Sequence, residues 1–163
     1  MEPRVNYLKL AAEPIKAMYA LETHVRGCGL EHALLELVKT RASQLNGCAY
    51  CLDMHTQDAR AAGETEQRLY ALSAWRETPF FTDRERAALA WTEVVTQLED
   101  GVSGEAFAEA REQFTEKELV DLTWAVIAIN GWNRLAISFR AVPGTYKPQA
   151  RAQMVATLTG SAN

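Results

Sequence analysis

Residues 36 to 55 read Glu36-Leu37-Val38-Lys39-Thr40-Arg41-Ala42-Ser43-Gln44-Leu45-Asn46-Gly47-Cys48-Ala49-Tyr50-Cys51-Leu52-Asp53-Met54-His55. Helix-forming residues flank Asn46-Gly47 on both sides, and apolar positions recur at three- and four-residue steps, the helical period. Glycine tolerates the left-handed conformation found just past a helix end. Asn46-Gly47 therefore predicts a stop for a helix running from about Leu30 to Leu45, and Cys48 opens the next one, through Ala62. So short a turn folds the two helices back on each other. Glu36 lies about ten positions before the break and His55 about eight after it, so at ~1.5 Å rise per residue the carboxylate comes level with the imidazole. Cys48, Cys51 and His55 are three and four residues apart and share one helical face.

That hairpin brings two thiols, an imidazole and a carboxylate within reach of one another. Cys48, in the first turn after the break, meets unpaired amides and the positive end of the helix dipole, which favour a thiolate. A carboxylate beside His55 fixes the imidazole tautomer and raises its basicity, so His55 can take a proton from a cysteine. A C-x-x-C pair reads either as a redox couple or as half of a metal site. In the metal reading Cys48, Cys51 and His55 supply ligands that zinc accepts, with Cys28 as a fourth, and Glu36 has no task. No Gly-rich strand-to-helix turn exists for a flavin or nicotinamide, so no such cofactor is expected and electrons come from another thiol system, and no metal is expected because zinc would leave Glu36 idle.

Glu36, eleven intervening residues and then Cys48-Ala49-Tyr50-Cys51-Leu52-Asp53-Met54-His55 form the pattern E-x11-C-x-x-C-x3-H. This pattern resembles the alkylhydroperoxidase D-like (AhpD-like) branch of the carboxymuconolactone decarboxylase family. The similarity extends through Gly63-Glu64-Thr65, Phe81-Thr82-Asp83-Arg84-Glu85 and Asn130-Gly131-Trp132-Asn133-Arg134. The resemblance implies an all-α, single-domain fold with a catalytic helix hairpin and a homo-oligomer, trimer or hexamer. It also implies a thiol peroxidase whose substrate is a peroxide and whose partner is a thiol or dithiol reductant. Cys51 would attack the peroxide, Cys48 would resolve the product as an intramolecular disulfide, and Glu36 and His55 would form a proton relay. Position in the helix, by contrast, makes Cys48 the more acidic thiol. The best-known members carry a second histidine between the cysteines where this chain has Tyr50, which donates a hydrogen bond to a substrate oxygen but is a poor base. The wider family also includes cysteine-independent enzymes acting on a small lactone acid, and an oxidant sensor would use the same thiol steps.

Outward from the hairpin, the whole chain reads as helical. Pro14 suits the first turn of a helix over Ile15 to Val25 that Gly27 and Gly29 stop. A short helix spans about Glu64 to Trp75. Thr82-Asp83-Arg84-Glu85 is a capping box opening a helix to about Leu98, Ser103 caps another to Gln113, and Thr115-Glu116-Lys117-Glu118 opens a long one to about Phe139. Its stretch Trp124 to Ile129 carries no charge and is expected to be covered by the core or by another subunit. One domain is expected over residues 1–147, followed by a tail at 148–163 with a short helix expected around Arg151 to Leu158.

At 163 residues and 48% hydrophobic content the chain can bury one core, and three cysteines do not make a disulfide framework. With 17 basic and 21 acidic residues and no basic stripe, nucleic acid is excluded as a partner. No basic-then-apolar leader and no apolar run near ~18 residues is present, so a cytoplasmic protein without a membrane partner is expected. Cys28 reads as a core residue, and neither His24 nor His32 has a partner with a clear task. The tryptophans read as packing, and Asn133 and Arg134 as members of a structural salt bridge.

Overall fold

The computed structural model describes residues 1–99 and 101–148, and the tail helix expected around Arg151 lies outside them. The chain forms α1 (Tyr7–Leu10), α2 (Ala12–Gly27), α3 (His32–Asn46), α4 (Ala49–Ala61), α5 (Glu66–Ala71), a 3₁₀ helix (Leu72–Glu77), α6 (Asp83–Gln97), α7 (Gly104–Gln113) and α8 (Glu116–Phe139). The architecture is all-helical and single-domain, and no strand occurs among the described residues. None of these helices is long and apolar enough to cross a membrane.

α3 is the central helix. Leu34 through Thr40, Ala42 and Ser43 are all buried, so it is enclosed on nearly every side by α4, α6 and α8. Its upper half joins a core of Val25, Leu34, Leu35, Val38, Trp91, Phe114, Leu122 and Val126. Leu37 packs with Leu72, Trp75, Phe81 and Leu89. Burial this complete takes in Lys39, 1% exposed, whose ammonium is neutralised by Glu22 of α2 at 2.7 Å. An unpaired charge there would cost several kcal/mol.

The capping boxes form as the sequence predicts. Thr82 and Thr115 accept from the amides of Glu85 and Glu118, whose carboxylates accept from the cap amides in return. The Thr115 amide and hydroxyl, with Arg84 at 2.6 Å, hold the Glu118 carboxyl down to about 2. Thr115→Ala removes the cap and is expected to lower unfolding free energy by about 1 kcal/mol in a denaturant titration.

Four boundaries differ from expectation. α1 is too short to show a period in sequence. α2 continues through Gly27, with Cys28 at its cap, and Gly29 takes the positive φ of 101°. Cys48 lies just outside α4, as its N-cap. The helix expected over Glu64 to Trp75 breaks into α5 and a 3₁₀ turn, with Ala74 at φ −118° and ψ 31°. Tertiary contacts decide that break: Trp75 rotates inward to donate its indole N–H to Glu93 at 2.8 Å, and Glu93 also receives Arg41 at 2.7 Å and Arg76.

Candidate active site

The turn between α3 and α4 is Gly47 and Cys48 alone. Gly47 sits at φ 68°, ψ 32°, the left-handed position that ends α3. An amide network pins this turn to α8. The Asn46 side chain donates to Asn130 at 2.9 Å and Asn133 at 2.8 Å, and Asn133 in turn donates to Ser43 at 3.0 Å. Arg134 donates to the Asn130 backbone oxygen at 3.0 Å and its side-chain oxygen at 2.9 Å. Asn133 and Arg134 therefore belong to a hydrogen-bonded clamp and not to the salt bridge expected for them. Asn133 is completely buried, where unpaired amide groups would be costly, so the clamp is a closed account of donors and acceptors.

Cys48 and Cys51 are joined as a disulfide with their Cα atoms 5.4 Å apart. Cys48 Sγ also accepts the Cys51 amide at 3.4 Å, the position a capping side chain takes. This corrects the expectation that Cys48 lies inside the first turn. As N-cap, its sulfur faces the free amides from outside, while Cys51 occupies the first turn itself, and the helix terminus favours an anion at both. The pair is packed among Ala42, Ile129 and Ala136, with Tyr50, Trp132 and Ala141 against it, and each cysteine is only 1% exposed.

His55, one turn beyond Cys51, points Nδ1 at Glu36 Oε2 across the hairpin at 2.8 Å, both side chains being buried. Burial pushes the Glu36 carboxyl up, but the His55 hydrogen bond and charge, with the charges of Lys39 and His32, outweigh it and hold the group below the ordinary carboxylate range. A depressed folded value means stabilisation that is complete above the unfolded pKa and disappears as pH falls through the folded one. Glu36→Gln is therefore expected to flatten the acid limb of a stability-against-pH curve measured by chemical denaturation.

Tyr50 packs against the cysteine cluster, and burial, then Tyr19 and Asp53, push its hydroxyl up. It stays a proton donor at neutral pH. Cys28 packs beside the separate core around Val25 and Leu119, away from the other two cysteines. It does not complete a four-ligand set with them.

Three neighbours were not expected from sequence. His32 stands one turn before Glu36 with Nε2 3.7 Å from Oε1, and the four-residue spacing was the available signal. Asp58 follows His55 by three residues, another helical step, and is half-buried. Tyr146 donates to both Asp58 oxygens, at 2.7 and 2.9 Å, from 88 positions away, a separation that no local pattern betrays. Glu36, His55 and Asp58 offer ligand atoms within 4.8 Å of one another. The His55–Glu36 and Tyr146–Asp58 hydrogen bonds already engage part of this set.

The model of the carboxymuconolactone decarboxylase family matches residues 12–94, which contain the whole α3–α4 hairpin. The chain is an AhpD-like member of the carboxymuconolactone decarboxylase family. Within this family it is 42% identical to the uncharacterized protein YdfG of Bacillus subtilis over 85% of its own length and 95% of that protein's. The crystal structure of ATU0492 from Agrobacterium tumefaciens, a protein of unknown function and putative antioxidant defence protein AhpD, superposes with a TM-score of 0.86 at 44% identity. The match covers 89% of this chain and all of that one. The debrominase Bmp8 shares the fold at a TM-score of 0.72 and 18% identity, over 79% of this chain and 70% of its own. The AhpD-like fold thus carries more than one chemistry, and the reaction has to be argued from the residues of the hairpin.

Proposed function

We propose that this AhpD-like protein is a thiol-dependent peroxidase that cycles between a Cys48–Cys51 dithiol and an intramolecular disulfide. One observation carries the reading: the bonded cysteine pair lies on the same helical face as His55, whose far nitrogen is held by the buried Glu36 at 2.8 Å. Nδ1–H is fixed on the carboxylate, which leaves Nε2 as the basic nitrogen.

The cycle balances as follows. Cys51 gives its thiol proton to His55, and the thiolate attacks one peroxide oxygen. The O–O bond breaks, the sulfur is oxidised to a sulfenic acid, and the departing alkoxide takes the proton from His55. The Cys48 sulfur then attacks the sulfenic sulfur, forming the disulfide and releasing water. An external dithiol reduces the pair by two exchange steps and leaves as its own disulfide. Tyr50 serves as a hydrogen-bond donor to the substrate oxygen. A homo-oligomer, trimer or hexamer, is supported by the exposed apolar stripe of Val120, Trp124 and Ile127 on one face of α8. A cytoplasmic location suits a pair that must be re-reduced.

Titration of the reduced protein with an alkyl hydroperoxide tests the reading. One equivalent is expected to consume two thiols per chain, both mapped to the Cys48–Cys51 peptide, with Cys28 untouched. Near-stoichiometric zinc on thiols that ignore peroxide would favour the metal site instead. Peroxide-driven disulfide formation without turnover in added dithiol would favour an oxidant sensor.

A further inference from the structure

The relay leaves one neighbouring carboxylate without a role. Asp58 lies one turn beyond His55 on α4, and its oxygen, a Glu36 oxygen and a His55 ring nitrogen fall within 4.8 Å of one another. It is held there by the segment that follows α8. Tyr146 of that segment donates its hydroxyl to Asp58 at 2.7 and 2.9 Å, and the Gly144 amide donates to Asp53 at 2.7 Å, so the segment is fastened to α4 twice. The titratable and charged groups around Asp58 are Tyr146 of that segment, Glu36 of α3, His55 of its own helix and Arg26 of α2.

We propose that Asp58 is a second carboxylate of the proton relay, a positioning residue that acts on the cysteines through His55, and that Tyr146 keeps it in place. The inference rests on the relay reading of Glu36 and His55 but not on a peroxide being the substrate. When the cysteine S–H bond breaks and its proton moves to His55, the imidazole becomes a cation and the sulfur an anion, with no change in oxidation state. A carboxylate near the ring stabilises that cation and so draws the proton off the thiol. The same carboxylate repels the thiolate, and distance decides between the two. Asp58 is three residues from His55 and seven from Cys51, about 4.5 and about 10.5 Å of helical rise, so the attraction dominates. Burial first, and then the Glu36 charge, push the Asp58 carboxyl above its ordinary range, against the Tyr146 hydrogen bond, His55 and Arg26, which favour its charge. Those supports make Tyr146 part of the arrangement: its hydroxyl bond anchors the oxygens and favours their charge. The segment after α8 thereby holds the hairpin's second acid in place through Tyr146.

Alkylation of the reduced full-length protein by iodoacetamide tests this, because the reagent reads the thiolate and needs no peroxide. Rates are followed by peptide mass at Cys48 and Cys51 between about pH 5 and 9, the range in which imidazole and thiol exchange protons. Asp58→Asn keeps an acceptor for Tyr146 but loses the charge. It is expected to slow alkylation at neutral pH about three- to tenfold and to move the midpoint upward, with Asp58→Glu restoring the rate to within about twofold. Tyr146→Phe keeps the charge and loses the anchor, and a smaller effect in the same direction is expected. Wild-type rates and midpoint in Asp58→Asn would overturn the inference, as would a larger effect in Tyr146→Phe than in Asp58→Asn, which would mark the contact as a mechanical latch. Glu36→Gln and His55→Gln serve as reference. If they slow alkylation and Asp58→Asn does not, the second carboxylate fails alone. If none of the three does, the relay itself fails.

Discussion

Cys51→Ser protein is expected to consume alkyl hydroperoxide at least about a hundredfold more slowly than wild type, because serine at neutral pH offers no comparable nucleophile. Cys48→Ser is expected to behave differently. It retains the attacking thiol and should consume one equivalent and then stop with a sulfenic acid at Cys51, trappable by dimedone, since the resolving sulfur is missing. The two variants together decide the order of the cycle. Both sulfurs meet the start of α4, Cys48 as its cap and Cys51 in its first turn, so electrostatics at the helix end does not rank them. A stable sulfenic acid at Cys48 in Cys51→Ser would reverse the assignment.

His55→Gln is expected to lower the peroxidase rate about 10²- to 10⁴-fold at neutral pH, the usual contribution of a positioned acid–base group, while leaving the disulfide able to form slowly at high pH. Glutamine keeps a hydrogen bond to Glu36 but cannot exchange a proton, so the loss reads as chemistry and not collapse of the hairpin. Glu36→Gln should lose less, because the imidazole remains and only its orientation and basicity suffer. Its defect should shrink as pH rises and thiol ionisation no longer needs the base. A rate equal to wild type in His55→Gln across the pH range would remove the relay from the mechanism.

The hairpin was legible in the sequence because every signal in it is local. Asn46-Gly47 marks the turn, C-x-x-C-x3-H marks one helical face, and the rise per residue places Glu36 opposite His55. The observed 2.8 Å contact follows from that arithmetic. The helix starts at Thr82 and Thr115 were legible for the same reason. Long-range contacts were not. The break at Ala74 serves Trp75 and its bond to Glu93, 18 positions away, and local propensity carries no trace of it. Asn133 and Arg134 find neutral partners, the Asn46 amide and Ser43 hydroxyl of α3 and the Asn130 oxygens of α8, which charge pairing does not suggest. His32 was within reach of pattern reading, one turn from Glu36 on the same helix.

The two-residue link at Gly47 and Cys48 turns the spacing between Glu36 and Cys48 into a ruler. Because α3 runs unbroken into that link, one residue inserted or deleted between them would swing the carboxylate by about 100° around the helix, away from the imidazole. Loop insertions elsewhere, such as beside the exposed Gly101 and Val102 between α6 and α7, would cost little by comparison. Length variation over evolutionary time should therefore pile up outside residues 36 to 55 and be absent within them, even where individual side chains drift.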